Sequence, residues 1–193
     1  EPINRNIYIY DDYTELYFEN LDLGTGGIYT RDRFYASPTI DIRGGTIYAK
    51  EMHSHSSIDL SSSTSIYIKE DVTGAGIYAD APKIDIGGDI IARVIGFFGR
   101  TGQPDIKVGG SVKCHRFSSK GSVQIDGDFT VSYFDTDYFK YSQDPEWTKG
   151  NNSVWIEVDE GENPTIFYVG GEMSVEDDIE IYIGSEGMYG VIL

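Results

Sequence analysis

Residues 84–92 read Ile84-Asp85-Ile86-Gly87-Gly88-Asp89-Ile90-Ile91-Ala92. An apolar-x-apolar triplet meets a small glycine-rich corner, and a second short apolar run follows. Alternation at period two turns Ile84 and Ile86 to one face and Asp85 to the other. Strands this short have no stability as an isolated hairpin, so they need partners above and below. A glycine corner suits a bend that takes φ > 0 or brings two backbones close together.

The same design recurs along the chain, which is the signature of a repeat architecture. Leu21-Asp22-Leu23 passes Gly24-Thr25-Gly26-Gly27 into Ile28-Tyr29-Thr30. Ile40-Asp41-Ile42 passes Arg43-Gly44-Gly45-Thr46 into Ile47-Tyr48-Ala49. Ile58-Asp59-Leu60 runs through five Ser/Thr residues into Ile66-Tyr67-Ile68. Ile106-Lys107-Val108, Val123-Gln124-Ile125 and Phe167-Tyr168-Val169 lead in the same way to Val112-Lys113-Cys114, Phe129-Thr130-Val131 and Met173-Ser174-Val175. The seven copies begin at 21, 40, 58, 84, 106, 123 and 167. Most steps are 17 to 26 residues; the last is 44, about two turns, and Val154-Trp155-Ile156-Glu157-Val158 supplies a strand for the gap. Pro38, Pro82, Pro104 and Pro164 each stand just before a copy, where a strand begins.

This pattern predicts an all-β chain, a single domain over 1–193, wound as a single-stranded parallel β-helix, or β-solenoid, of eight to nine turns. Each apolar residue then stacks on its counterpart about 4.8 Å away, and the backbone groups pair between turns. An antiparallel sandwich also alternates, but has no need to repeat one corner at one phase. The segments 31–39, 50–57, 69–83, 93–105 and 115–122 are expected to form a third, less regular side. Residues 132–163 are acidic and aromatic and read as an insertion projecting from the tube. Residues 1–18 and 176–193 are the candidate caps for the open ends.

Composition agrees. The 193 residues are 39% apolar, with 23 Gly and 15 Tyr, a balance that favours strands and turns over helices. The formal net charge of −17 argues against a nucleic-acid partner, since no basic patch offsets phosphate repulsion. It suits cations, cationic surfaces or neutral glycans. Cys114 stands alone, so no intrachain disulfide is available. No apolar run approaches 18 residues, so no membrane insertion is expected.

Three sets of residues are candidates for chemistry. Asp22, Asp41, Asp59 and Asp85 fall at equivalent outward positions if the repeat holds its phase. Their repulsion calls for relief by Arg43, Lys83 or a bound cation such as calcium; the plainer reading is a solvated acidic face. On that alignment Asp85→Asn is neutral or stabilising. No other cofactor is expected. Tyr29, Tyr48 and Tyr67 share the outward place after the corner, with Tyr8 one turn earlier. They either stack for stability or form a platform for sugar rings. With Tyr138 and Trp147 of the insertion they are the candidate ligand-binding residues. His53 and His55 point to one side of an extended segment, and His115 is expected to face away from Cys114. GxSxG, a Walker loop, a GxGxxG before a helix and HExxH are all absent.

The copies Ile84-Asp85-Ile86-Gly87-Gly88-Asp89-Ile90 and Val123-Gln124-Ile125-Asp126-Gly127-Asp128-Phe129 resemble the turns of bactofilin-like, polymer-forming β-helices. They also resemble the repeats of secreted bacterial β-helix adhesin domains. The resemblance runs over roughly residues 21–175. It implies a non-enzymatic structural or adhesive role at a bacterial cell surface or in secreted form. A protein or glycan surface is then the partner, and self-association is open to it. Two alternatives stand beside it: a parallel β-helix carbohydrate-active enzyme, of polysaccharide lyase or glycoside hydrolase type, and a cytoplasmic polymer-forming scaffold.

Overall fold

A three-residue apolar strand buries its inner face only if another strand lies above it and another below. The computed structural model describes residues 2–9, 13–30, 39–54, 57–99, 104–132, 152–157, 166–175, 179–183 and 191–192. Its strands group into successive levels. The first holds β1 (Ile7–Ile9), β2 (Tyr13–Phe18) and β3 (Leu21–Asp22). The second holds β4 (Ile28–Thr30), β5 (Thr39–Gly44) and β6 (Ile47–Ala49). The third holds β7 (Met52–His53), β8 (Ser57–Ser62) and β9 (Ile66–Ile68). Then come β10 (Val72–Asp80) with β11 (Lys83–Ile86), β12 (Ile90–Phe98) with β13 (Asp105–Val108), and β14 (Val112–Lys120) with β15 (Ser122–Ile125). After these lie β16 (Phe129–Val131), β17 (Asn152–Glu157) and β18 (Ile166–Val169), then β19 (Met173–Val175), β20 (Ile179–Ile183) and β21 (Val191–Ile192).

Each strand pairs in parallel with its counterpart one level away, so the fold is a parallel β-solenoid. Every described element is a strand. One sheet of 13 strands wraps two faces. The first face stacks β1, β4, β7, β16 and β19, and the second stacks β2, β5, β8, β17 and β20. The nine-residue β10, β12 and β14 cover both. The third face is a separate sheet of eight strands, β3 to β21.

The core is a set of ladders. Ile47, Ile66, Ile84, Ile106 and Val123 follow one another in register on the third face, each at most 1% exposed. Ile28, Met52, Val72, Ile90, Val112 and Phe129 do the same on the first. Ile58, Ile77, Ile95, Phe117 and Val154 line the second. Towards the C-terminal levels phenylalanines replace isoleucines. Phe117 meets Phe97, Phe129 and Phe167 edge-on, with ring centroids 5.8, 5.3 and 5.7 Å apart.

The structure revises four expectations. The short strands merge at mid-tube into nine-residue strands, because one bend between the first and second faces is shallow enough to keep pairing. The chain is described without a break over 57–99 and 104–132, and the full turns traced there, from Ser57 through Gly76 to Val94 and from Val112 to Phe129, are fewer than the eight to nine expected. Within 132–163 the strand expected from Val154-Trp155-Ile156-Glu157-Val158 is present as β17, paired between β14 and β20, so this part belongs to the tube and is no projecting insertion; residues 133–151 and 158–165 lie outside the described residues. Finally, the seven copies do not share one phase. The copies at 21, 84, 106, 123 and 167 span the corner from third face to first. Those at 40 and 58 span the corner from second face to third.

The corner before the first face carries a regular hydrogen-bond ladder that the triplets do not reveal. Asp71 Oδ1 accepts from the Asp89 N–H at 2.8 Å, and Asp89 Oδ1 accepts from the Ser111 N–H at 2.7 Å. Ser111 Oγ accepts from Asp128 N–H at 3.1 Å, and Asp128 Oδ1 accepts from Glu172 N–H at 2.8 Å. Asn6 opens the same row by accepting from Gly27 N–H at 3.0 Å. Backbone bonds run beside it: Gly110 N–H to Gly88 O at 3.1 Å, Gly127 N–H to Gly110 O at 3.0 Å, Gly171 N–H to Gly127 O at 3.0 Å. The glycines serve close approach here. A Cβ at Gly88, Gly110 or Gly171 would collide with the carboxylate of Asp71, Asp89 or Asp128 one level below. Positive φ is confined, among described glycines, to Gly24 (55°) and Gly121 (104°). At the corner before the third face Ser62 does similar work. Its Oγ accepts from Ser65 N–H at 2.9 Å and donates to the Gly45 carbonyl.

Ile86→Asp places a charge in a site 2% exposed among Val108, Ile68 and the rest of the core, and should destabilise the chain by about 4 kcal/mol. Gly110→Ala should cost about 2 kcal/mol by forcing the Gly88 and Asp89 layer apart. Urea denaturation followed by circular dichroism measures both.

Candidate functional site

The phase slip redistributes the outward residues. Asp41 and Asp59 are in-register neighbours on the second face, whereas Asp22 and Asp85 lie on the third. The four aspartates are therefore not one ladder. Asp85 lies between Tyr67 and Lys107, so the repulsion argument for Asp85→Asn loses its basis. The tyrosines divide too. Tyr8 and Tyr29 pair on the first face, while Tyr48 and Tyr67 pair on the third.

On the first face Tyr8, Tyr29 and His53 form a continuous stack. Ring centroids are 5.4 Å apart for Tyr8–Tyr29 and 5.8 Å for Tyr29–His53, with interplanar angles of 23° and 21°. Their faces are turned to each other, and the edges look outward. Glu51, at the corner before β7, ties the stack together. It accepts from Tyr29 Oη at 2.6 Å through Oε1, and Oε2 lies 3.2 Å from His53 Nε2. Lys50 Nζ bridges Glu51 and Glu70, at 3.3 Å from each. The hydrogen bond from Tyr29 holds the Glu51 carboxyl down at about 2 against opposing burial, with His53 and Lys50 adding to the effect. Burial, then the Glu51 hydrogen bond and charge, push the Tyr29 hydroxyl up to about 12.

On the second face Asp41 faces outward yet is only 4% exposed. Both its oxygens accept from Arg43, Nε to Oδ1 at 3.0 Å and a terminal guanidinium nitrogen to Oδ2 at 2.7 Å. Burial, with the Asp41 charge beside it, raises the Asp59 carboxyl, and Arg43 opposes. Burial and then the Asp59 charge raise Tyr78. Gly96 is the floor of an aromatic patch here: a Cβ on it would meet Phe98 Cε2 at 2.6 Å and Tyr78 Cδ1 at 3.0 Å.

The third face carries an open groove at its N-terminal end, lined by Pro2, Asn20, Asp22, Thr46, Tyr48 and Tyr67 among others. Asp22, Tyr48, Tyr67 and Asp85 run in register past it. Asp22 Oδ1 accepts from the Gly24 N–H at 2.9 Å, and Asn20 Oδ1 from the Thr46 N–H at 3.0 Å. The Lys83 ammonium sits 5.6 Å from the Tyr67 ring centroid. Three residues singled out in the sequence thus meet here, on a face for which equal phase was not needed.

Other sequence candidates fall elsewhere. Tyr138, Trp147 and His55 lie outside the described residues. Cys114 is fully buried, and burial pushes its thiol up, so it behaves as a core residue. His115, expected on the outer face, is only 5% exposed because it occupies the bend in β14, where alternation breaks. Among the described residues no group of three or more His, Cys, Asp or Glu is placed to hold a metal ion. Among them, too, no helix is long and apolar enough to cross a membrane.

Comparison with known proteins finds no matching family model, curated protein or solved structure. The fold therefore rests on the strand register and the function on the exposed chemistry.

The Glu51 cluster predicts two pH limits. A depressed carboxyl stabilises above its ordinary value near 4.3, and this is lost as pH falls through about 2. A raised tyrosine stabilises below its ordinary value near 10, and this is lost as pH rises through about 12. Glu51→Gln should flatten the acid side of the stability profile. Tyr29→Phe should remove a tyrosinate absorbance component that titrates near pH 12.

Proposed function

We propose that this chain is a non-catalytic β-solenoid that serves as a structural or adhesive rod, displayed at a bacterial cell surface or secreted. One observation carries the reading: polar side chains at successive corners join one level of the tube to the next. Glu51 is engaged by Tyr29, Lys50 and His53, and the Asp71, Asp89, Ser111 and Asp128 side chains each accept from the backbone one level up. Groups spent in this way stiffen a rod and are poorly placed to move protons on a substrate. The net charge of −17 keeps such rods apart from anionic surfaces and directs them to neutral or cationic ones.

A second reading has its own observation. Asp41 accepts two hydrogen bonds from Arg43, while burial raises the neighbouring Asp59, and a raised carboxyl beside a second carboxyl is a pairing that acid–base hydrolysis of a glycan uses. The rod reading is preferred because both Asp41 oxygens are already occupied and the side chain is buried.

One experiment separates the two. The protein is incubated with plant and bacterial polysaccharides, and new reducing ends or unsaturated uronate are measured beside adhesion of the labelled protein to bacterial cells. The rod reading expects adhesion without products. Product formation abolished in Asp59→Asn would replace it with the hydrolase or lyase.

A further inference from the structure

The two aromatic rows of this tube are built for different purposes. In the Tyr8, Tyr29 and His53 stack each ring covers the next, and Glu51 clamps the edges. That row leaves no aromatic face for a ligand except at its lower end. The third-face row is different. Tyr48 and Tyr67 line an open groove, and the exposed Asp22 stands at one end of them and the half-buried Asp85 at the other.

We propose that the row Asp22, Tyr48, Tyr67 and Asp85 is a binding subsite for a neutral, hydroxyl-rich glycan strand lying along the tube axis. The proposal rests on the adhesive reading above and names the partner chemistry. Ligand sites are concave, largely apolar, and oriented by a few polar groups, which describes this groove. A tyrosine offers an apolar ring against the C–H face of a sugar and a hydroxyl at its rim. A carboxylate accepts charge-assisted hydrogen bonds from sugar hydroxyls. Here one carboxylate flanks each end of the tyrosine pair. Four in-register positions about 4.8 Å apart give a track of roughly 14 Å, the scale of a short oligosaccharide. An extended polymer then repeats its contacts as the protein repeats its levels.

Charge chooses among glycans. Lys83 leans on the Tyr67 ring, and Lys107 Nζ is 3.6 Å from Asp126 Oδ2, so the neighbouring cations are drawn to their own partners. With a net charge of −17 on the whole chain, a polyuronate or sulfated chain is repelled and a neutral one is not.

The test is affinity electrophoresis and calorimetry of the full chain against β-1,3-glucan, β-1,4-glucan and mannan. Polygalacturonate serves as the anionic probe and oligolysine as the cationic one. Wild type should bind at least one neutral glycan and ignore polygalacturonate. Tyr48→Ala and Tyr67→Ala should each weaken binding about tenfold. Tyr67→Phe, which keeps the ring, should retain most of it, and Lys69→Ala, away from the groove, should match wild type. Unchanged melting temperatures in all variants confirm intact folding, as expected for outward side chains. Neutral-glycan binding that survives both alanine variants would place the site elsewhere and overturn the proposal, leaving the rod reading intact. So would adhesion to cells with no neutral-glycan affinity, or oligolysine binding lost in Tyr67→Ala, which would make the groove a dock for a cationic protein surface. Cleavage of the glycan would instead remove the rod reading.

Discussion

A chain that bends every few residues lays bare the amide groups of each bend, and the solenoid works only because the next level covers them. The corner between the third and first faces shows this most plainly. Its N–H groups donate to carbonyls one level down, as in Gly109 to Ile86 and Asp126 to Val108, at 2.7 and 2.8 Å. The acidic or hydroxyl side chain that ends each corner then accepts from the level above. Without that closure each turn would leave buried, unpaired backbone, at a cost that short strands cannot offset. The glycine, the following Asp or Ser, and the apolar residue after it are therefore one device: room, acceptor and anchor.

This device explains why the tube tolerates irregular turns. Levels of unequal length can stack, 17 residues from Val112 to Phe129 and 44 from Phe129 to Met173, because equivalence is needed only at paired positions. It also explains how the second and third levels manage without glycine pairs. There Lys50-Glu51 and Lys69-Glu70-Asp71 form the corner; the backbone ladder continues, Lys50 N–H to Gly26 O at 2.8 Å and Glu70 N–H to Lys50 O at 2.7 Å, and ion pairs among Lys50, Glu51 and Glu70 add to it. Glu51, at the end of its corner, extends this role outward by clamping Tyr29 and His53. This polar cluster is thus continuous with the scaffold.

Chemistry left over from holding levels together lies on the third face. Tyr48 and Tyr67 meet a groove that Pro2, Asn20 and Asp22 help to line, at the N-terminal end of the sheet. On the second face the buried Asp41, held by the exposed Arg43, and the raised Asp59 mark another place where outward residues are unusual.

Period-two triplets, seven glycine or serine corners and the scarcity of helix formers determined the fold class from the sequence. Those are local properties, and a tube of short strands repeats them at every level. Sequence also marked Tyr48, Tyr67 and Asp22. It could not assign each triplet to a face, because Ile40-Asp41-Ile42 and Ile84-Asp85-Ile86 look alike while the corners that follow them lead to different sides. Phase depends on how many residues each earlier corner absorbs, which only the stacked levels fix through register. For the same reason the acceptor row Asp71, Asp89, Ser111 and Asp128 went unseen: its members are four separate corner ends until the backbone brings each within hydrogen-bond reach of the next.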